Sequence, residues 1–367
     1  MTHKKIQFLI LTCYAFLLLF ALSCEDNLND KQIQKAYITL QGQDKVAVID
    51  INAGKLLKHV DVDFLNLSDD PHYVVIDNTN NHWYCTLIST GVVLKFDLNT
   101  DELVDSVYVG SMPALMAIDE TNQFLYVSRF MPMGEMSTDS QEIHKIDVQT
   151  MTGIGTVDVG AGSPHGIALS SDGETLWIAS NEASHFFKIE TDKFGDDLYQ
   201  PQNFPIGSEW EGAPIDFPDR DYNALELELS HDDSKLYVSC SKKNQVRVFD
   251  TETGDSLATL MTGMMPWHMQ ISNDDTKLYV SNRMSNTITV ANLETNMIIN
   301  TIEDETGTVN MLHGCALSGN NELLVVTSFG SENAYIYDTT TYKLLHKIDL
   351  SDGTEQEPRP SGVAIVQ

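Results

Sequence analysis

The sequence predicts an all-β fold: a seven-bladed β-propeller of four-stranded antiparallel blades, with the first blade closed by the C-terminal strand. One unit recurs along the chain, and both Pro71 to Pro113 and Ala224 to Pro266 span 42 residues. Within each unit, apolar and polar residues alternate with a period of two between turns of Gly, Asp and Asn. No 3.6-residue periodicity is sustained after residue 24, which excludes a helical fold.

The repeat unit contains four strand patterns. Its clearest copy has a first strand at 163–169, a turn at 171–174, a second strand at 176–179 and a third at 186–189. A fourth strand follows in other copies, as at 256–260. The predicted first strands begin near Pro71, Pro113, Pro164, Ala224, Pro266, Leu312 and Pro360.

The two ends of the repeat region carry complementary fragments of one blade. Residues 36–39 have the pattern of a second strand, and residues 361–366 have that of a first strand with nothing after it. Pairing the two fragments completes a blade and removes the exposed sheet edge that an open array would leave. The sequence therefore predicts seven blades.

The second strands carry a recurrent motif, Leu-Tyr-Val-Ser, at 125–128, 236–239 and 278–281. This motif resembles the signature of the YVTN-repeat family of seven-bladed propellers. The resemblance covers residues 35–367 and implies the same fold, with one four-stranded blade per repeat.

The N-terminal segment has the pattern of a secretory signal, predicted at 1–23. Lys4 and Lys5 precede an apolar run at 6–22, and Cys24 follows Ser23. The segment resembles a bacterial lipoprotein signal, which implies acyl chains such as palmitate on Cys24 and a polar leader at 24–34. Ala21 stands where such signals usually have Leu, so a soluble secreted form is the alternative. We expect an outer-membrane lipoprotein at the cell surface or on the periplasmic face.

Charge and cysteine content exclude several classes of function. The formal net charge of −31 repels nucleic acid and anionic lipid. Cys85, Cys240 and Cys315 are an odd set, far apart within apolar strand patterns, so we expect buried small residues rather than disulfides. We expect a monomeric propeller.

Residues with binding chemistry are predicted to lie on one face of the disc. The loop before each first strand and the loop after each second strand reach the same face, which also receives the segments at 131–136 and 194–221. The candidate ligand-binding residues there are His72, Arg129, His165, Glu182, Trp267, His268, Arg283 and His313.

The histidines have two interpretations. Pro-His-Gly turns can serve packing alone. Alternatively, His165, His268 and His313 are candidate ligands for copper or another transition metal, such as zinc or iron. The repeat broadly resembles the nitrous oxide reductase propeller, which implies histidine-bound copper at a comparable place. The origin of these residues in separate blades argues against a shared ion.

A second polar cluster is predicted on two neighbouring inner strands. Glu226 and Glu228 lie on the fifth, and His268 and Gln270 lie on the sixth, where other blades have small or apolar residues. Buried polar groups without partners cost roughly 2–7 kcal/mol each, so we expect a solvated channel network or a binding site. A carboxylate beside an imidazole is also the pattern of a general base.

The sequence contains no nucleophile elbow, phosphate-binding glycine loop, His-Glu-x-x-His or haem-attachment motif. The leading hypothesis is a binding protein that takes a small molecule or docks on a partner protein. Surface propeller lipoproteins that pass cobalamin to outer-membrane transporters are similar in plan, which implies a corrinoid as one ligand. The alternative is a metal-dependent oxidoreductase or a lactonase-like hydrolase that uses His165, His268, His313 and Glu226.

Overall fold

Seven four-stranded antiparallel sheets make up the part of the chain that the computed structural model describes, residues 33–65, 68–110, 112–121, 123–129, 141–211 and 221–367. Two short 3-10 helices, Thr191–Lys193 and Ser208–Trp210, lie between strands of this region. The strands in chain order are β1 (Lys35–Leu40), β2 (Lys45–Asp50), β3 (Lys55–Asp61), β4 (Pro71–Asp77), β5 (His82–Leu87), β6 (Val92–Asp97), β7 (Leu103–Tyr108), β8 (Pro113–Asp119), β9 (Phe124–Arg129), β10 (Glu142–Asp147), β11 (Thr152–Asp158), β12 (Pro164–Leu169), β13 (Thr175–Ser180), β14 (His185–Glu190), β15 (Gln202–Pro205), β16 (Ala224–Leu229), β17 (Lys235–Cys240), β18 (Gln245–Asp250), β19 (Ser256–Met261), β20 (Pro266–Ile271), β21 (Lys277–Asn282), β22 (Thr287–Asn292), β23 (Met297–Ile302), β24 (Leu312–Leu317), β25 (Leu323–Ser328), β26 (Asn333–Asp338), β27 (Leu344–Asp349) and β28 (Pro360–Ile365).

The sheets are the blades of the predicted seven-bladed propeller. Blade one has the order β28-β1-β2-β3, so the C-terminal strand is its innermost strand, as predicted. Blades two to seven each use four consecutive strands, from β4–β7 to β24–β27. The innermost strands contact one another around the ring, and β28 lies between β24 and β4. All seven innermost strands begin at the predicted residues.

The apolar core lies between neighbouring blades rather than inside any one of them. One cluster joins Tyr37 and Val48 of blade one to Trp83 and Phe96 of blade two, and the two latter rings stack with centroids 4.0 Å apart. The second strands are buried almost along their length, whereas the fourth strands are mostly exposed. Each blade therefore needs both neighbours to bury its apolar surface.

Hydroxyl groups on the second strands tie successive blades together. Ser128 and Ser281, the last residues of two Leu-Tyr-Val-Ser motifs, donate hydrogen bonds of 2.6 Å to the carbonyl oxygens of His165 and His313 in the next blade. Thr39, Thr86 and Thr327 donate equivalent bonds to His72, Ala114 and Ser361. The hydroxyl at this strand position thus has a structural role at these five seams, because it satisfies a buried carbonyl of the next blade.

A glycine in blade four allows a close approach between two inner strands. A Cβ on Gly166 would lie 2.7 Å from Cα of Glu226 and 2.8 Å from the carbonyl oxygen of Leu225. Only glycine fits there without displacing backbone. The packing brings Glu226 up against the strand that carries His165.

The segment 194–221 is not wholly the insertion that the sequence predicted, because part of it belongs to a blade. Its residues Gln202–Pro205 form β15, the outer strand of blade four, which pairs with β14. The strand has only four residues, because prolines stand at its end and just before it and Pro has no N–H for a sheet ladder. Residues 131–136 of the other predicted insertion lie outside the described part of the chain.

The remaining expectations on cysteines and the N-terminus have different outcomes. Cys85, Cys240 and Cys315 are free and buried, as predicted. The predicted signal at 1–23, Cys24 and most of the leader at 24–34 lie outside the described residues. Among those that are described, no helix has the length and apolar character needed to cross a membrane.

Candidate functional site

Every inner strand begins with the same tight backbone turn. The residue just before the strand has a left-handed conformation, with φ between 51° and 62°, although none of these residues is glycine. Such a conformation costs a non-glycine residue roughly 1 kcal/mol, so the surrounding structure must hold it. The seven residues are Asp70, Met112, Ser163, Asn223, Met265, Met311 and Arg359.

The turn brings four histidines from four different blades together at the centre of the propeller. The ring centroid of His72 lies 5.9 Å from that of His165 and 5.6 Å from that of His313. His268 lies 6.2 Å from His165 and 4.9 Å from His313. His72 belongs to blade two and His165 to blade four, with blade three between them. Their side chains therefore meet across the central channel. We call these four residues the histidine ring.

Burial keeps the histidine ring uncharged. The four side chains are at most 3% exposed. Burial lowers the pKa of His165 and of His268 to about 3, and it also holds the pKa of His72 and of His313 below the ordinary value. The Nδ1–H of His165 donates to the carbonyl oxygen of Leu225 at 3.0 Å, which selects its tautomer.

Glu226 and His268 form a buried pair on blades five and six. Glu226 Oε1 lies 2.6 Å from His268 Nδ1, and the Met269 N–H donates to Glu226 Oε2 at 2.5 Å. Burial raises the pKa of Glu226 and lowers that of His268, so the pair is favoured in its neutral form. In that form the carboxyl O–H donates to Nδ1, and Nε2 of His268 carries a hydrogen.

Further polar groups surround the pair. Tyr73 of blade two stacks on His268, with centroids 6.1 Å apart. Burial, reinforced by the nearby Glu226 and Glu228, raises the pKa of Tyr73 and of Cys315, while burial and Glu226 raise that of Glu228. These raised pKa values favour the neutral form of each group, so the channel centre is polar but carries little charge.

Arg283 lies beside the histidine ring, directly after β21. Its guanidinium carbon is 4.6 Å from the ring centroid of Trp267 and 4.8 Å from that of Phe329. The rings of Trp267 and Phe329 also pack against His313, at 5.7 Å and 5.6 Å. Burial lowers the pKa of Arg283 to about 10, so it remains a cation at pH 7.

The structure brings together most of the predicted site residues. The histidine ring, Glu226, Glu228, Trp267 and Arg283 form one cluster across blades two and four to seven. Arg129 lies elsewhere: its Nη2 donates to the carbonyl oxygen of Val109 and contacts Nε2 of His144. Glu182 is buried just beyond the end of β13.

The geometry does not support the prediction of a metal site at His165, His268 and His313. Their rings are close, contrary to the expectation that separate blades keep them apart. In the described ranges, however, no three side chains of His, Cys, Asp or Glu are arranged to hold one ion. Nδ1 of His268 is engaged by Glu226, and that of His165 by a backbone carbonyl. A metal centre stays a prediction.

Three residues of the cluster were missed from the sequence: Tyr73, Cys315 and Phe329. Tyr73 follows His72 at the position that Glu226 and His268 occupy in blades five and six. Phe329 follows its second strand as Arg283 follows β21. Aligning the seven repeats position by position would have shown both equivalences.

Comparisons with known proteins agree with the fold. A family model described as "Lactonase, 7-bladed beta-propeller" matches residues 136–308, less than half of the chain. The matched range includes Glu226, His268 and Arg283. A search of curated protein sequences found no match.

Several solved structures share the architecture. A functionally unknown protein from Desulfotomaculum acetoxidans has a TM-score of 0.69 at 15% identity, covering 90% of this chain and 98% of its own. A candidate 6-phosphogluconolactonase from Bacteroides fragilis has a TM-score of 0.68 at 14% identity, and the match covers 93% of this chain and 100% of that protein. A second candidate 6-phosphogluconolactonase, from Bacteroides uniformis, has a TM-score of 0.67 at 15% identity, and the match covers 91% of this chain and 100% of that protein. Likeness at such identities establishes a seven-bladed propeller with lactonase-type neighbours, and the resemblance to the YVTN-repeat family stays a prediction.

Proposed function

We propose that this protein binds a small organic molecule at the mouth of its central channel, over the histidine ring. The observation that carries the proposal is the convergence of four buried imidazoles from four blades beside Glu226, Trp267 and Arg283. Pockets that take small molecules combine aromatic walls with a few placed polar groups, which is the composition of this cluster.

The fold itself does not require these polar side chains. Blades three, five and one have Ala114, Leu225 and Ser361 at the position that His72 occupies in blade two. The same blade architecture is thus built with apolar or small residues at this position. Concentrating polar groups on the axis costs desolvation energy, and contacts with a bound molecule would offset it.

We extend the proposal to location and partners. An acyl chain on Cys24 would hold the protein on the outer membrane, at the cell surface or the periplasmic face, and a corrinoid is one ligand to test. The bound molecule would then pass to an outer-membrane transporter. The support is the lipoprotein-like segment of the sequence, and mass spectrometry of the purified N-terminal peptide tests the acylation.

A thermal-unfolding screen on the mature protein tests the binding proposal. At a hundred times its dissociation constant, a ligand should add about 2.7 kcal/mol to the free energy of unfolding. The variant His165→Asn, in which the amide can replace the bond to Leu225, is expected to lose at least tenfold in affinity.

The matched control is Lys193→Ala, which removes only exposed ion pairs with Glu190 and Asp192. It should bind as the wild type does. The proposal fails if no compound, corrinoids included, stabilises the wild type. It also fails if the compounds that do so bind His165→Asn unchanged.

Hydrolysis of a lactone-type ester is a second candidate function, favoured by the family match and by the Glu226–His268 pair. With Glu226 ionised, Nδ1–H of His268 would donate to the carboxylate and Nε2 could take a proton from an attacking water. The favoured neutral form of the pair presents Nε2–H instead. We therefore expect any such activity to rise with pH as Glu226 loses its proton.

The variant Glu226→Gln tests this candidate. The amide can keep the bonds to His268 and Met269 but cannot ionise, so the lactone hydrolysis rate should fall by about 10²-fold or more. A pH-stat assay measures it, with far-UV circular dichroism as the check on folding. Hydrolysis that is unchanged in Glu226→Gln, or independent of pH, rules out this role for the pair.

A further inference from the structure

We propose that the seam between blades six and seven holds an oxoanion, with Arg283 as the charged partner and Trp267, His268 and His313 as the neighbouring nitrogen groups. The favoured occupant is the carboxylate of a small monoanionic organic molecule. This inference rests on the proposed function and names the class of ligand that the channel mouth takes.

Arg283 lacks an acidic partner in the described part of the chain. Its Nη1 is buried without a hydrogen-bond partner there, and burial is the cause of its lowered pKa. This is unusual in a chain with 53 acidic and 22 basic residues. By contrast, Lys45, Lys58 and Lys243 each pair with an aspartate.

Three neighbouring rings carry a buried nitrogen that also lacks a partner within the described ranges. They are Nε1 of Trp267, Nε2 of His268 and Nδ1 of His313. The indole nitrogen can only donate, and the neutral His268–Glu226 pair presents Nε2–H. The three rings pack together: the ring centroid of His313 lies 4.9 Å from that of His268 and 5.7 Å from that of Trp267.

The cost of leaving these nitrogens without partners favours an occupied state. A buried donor without an acceptor costs about 1–3 kcal/mol, and here Arg283 and three rings share one seam. An oxoanion carries several lone pairs and could accept from more than one of them. A guanidinium binds a carboxylate through two parallel N–H bonds, which adds geometric selectivity.

Charge balance selects a monoanion. Arg283 supplies one positive charge, while burial keeps the four imidazoles neutral. A carboxylate therefore gives a complex without net charge. A phosphate dianion would leave one negative charge without a compensating cation in the seam, which disfavours it.

Acetate and inorganic phosphate are suitable probes for the mature protein. Titration at constant ionic strength, balanced with chloride, is followed by calorimetry and by tryptophan fluorescence, since Trp267 would contact the anion. We expect acetate to bind more tightly than phosphate. We expect Arg283→Met to weaken acetate binding at least tenfold, and Arg283→Lys to weaken it less.

Arg247→Met is the matched control. Arg247 also lies against two aromatic rings, those of Tyr222 and Phe249, but its Nη2 donates to Ser256. It should bind acetate as the wild type does. Trp267→Phe removes the indole donor and provides a second variant should Arg283→Met fail to fold.

The outcomes separate this inference from the proposed function. Acetate binding that is unchanged in Arg283→Met and Trp267→Phe overturns the inference, as does equal loss in Arg247→Met or a preference for phosphate. A screened ligand that needs His165 but not Arg283 overturns it while the proposed function stands. Arg283-dependent acetate binding without any organic ligand in the screen supports the anion site and counts against the proposed function.

Discussion

Removing residues 360–367 is expected to abolish cooperative folding, because it deletes the inner strand of blade one. The deletion leaves β1 with an unpaired edge and opens the ring between blades seven and two. Val363 and Ile365 would be lost from an apolar cluster that joins blades one and seven. A urea titration of the truncated chain should show no single cooperative unfolding transition.

The deleted strand also makes hydrogen bonds that help to close the ring of blades. Thr39 Oγ1 lies 2.8 Å from Ser361 Oγ and accepts the N–H of Gly362 at 2.8 Å, while Thr327 donates to the Ser361 carbonyl oxygen. All of these groups are buried, so each orphaned group adds about 1–3 kcal/mol to the loss. The effect should therefore exceed that of any single substitution.

A peptide complementation experiment makes this prediction specific. A synthetic peptide of residues 353–367 added to the truncated chain should restore near-UV circular dichroism and a cooperative transition. Deleting only Gln367, which is exposed, should leave the free energy of unfolding nearly unchanged. A truncated chain that unfolds cooperatively without the peptide would show that blade one closes by itself.

The fold was predictable from the sequence because every blade repeats the same local pattern. Proline or an apolar residue begins each inner strand, and the shared blade is visible in the residues at 36–39 and 361–366. The outer strand β15 was not predictable, because its four residues between Pro201 and Ile206 are too few to show an alternation of apolar and polar residues. Its position is set by pairing with β14 rather than by its own sequence.

The candidate site was predictable as a set of residues but not as a geometry. Equivalent positions in the repeat placed His72, His165 and His313 on one face. Their mutual distances depend on how the inner strands converge and on the register shift after each first residue, which no local pattern encodes. The contact of Arg283 with Phe329 is equally non-local, since it joins the ends of second strands in two blades.

Acidification from pH 7 to pH 5 is expected to lower the free energy of unfolding by several kcal/mol. The folded-state pKa of each residue in the histidine ring lies below its ordinary value near 6.5, so the unfolded chain takes up protons first. Their stabilising contribution is present above pH 6.5 and is lost as the pH falls toward about 3. Each such group contributes up to about 1.4 kcal/mol per pH unit.

Two carboxyl groups act in the opposite direction. Burial raises the folded-state pKa of Glu226 and of Glu228 above the ordinary value near 4.5, so their contribution grows as the pH falls toward 4.5. These two carboxyl groups can offset at most two of the four histidines between pH 6.5 and 4.5. At least two histidines therefore remain uncompensated, so acid destabilises the propeller.

The surface charge favours the opposite trend but with a smaller magnitude. The net charge of −31 falls toward zero as the pH approaches the isoelectric point near 4.4, which relieves repulsion. That repulsion acts between exposed groups and is screened over about 8 Å at physiological ionic strength, whereas the buried histidines are screened far less. The buried groups should therefore dominate the pH dependence.

Urea titrations at pH 7.5, 6.0 and 5.0 measure the effect, with the denaturant slope as the check on two-state behaviour. His72→Asn removes one titrating group and should reduce the slope of stability against pH by up to about 1.4 kcal/mol per unit. His346→Asn is the control, because that side chain lies on the outer strand β27, away from the ring. Stability that is flat from pH 7.5 to 5.0 would mean that the ring accepts protons while folded, and stability that rises would mean that Glu226 and Glu228 dominate.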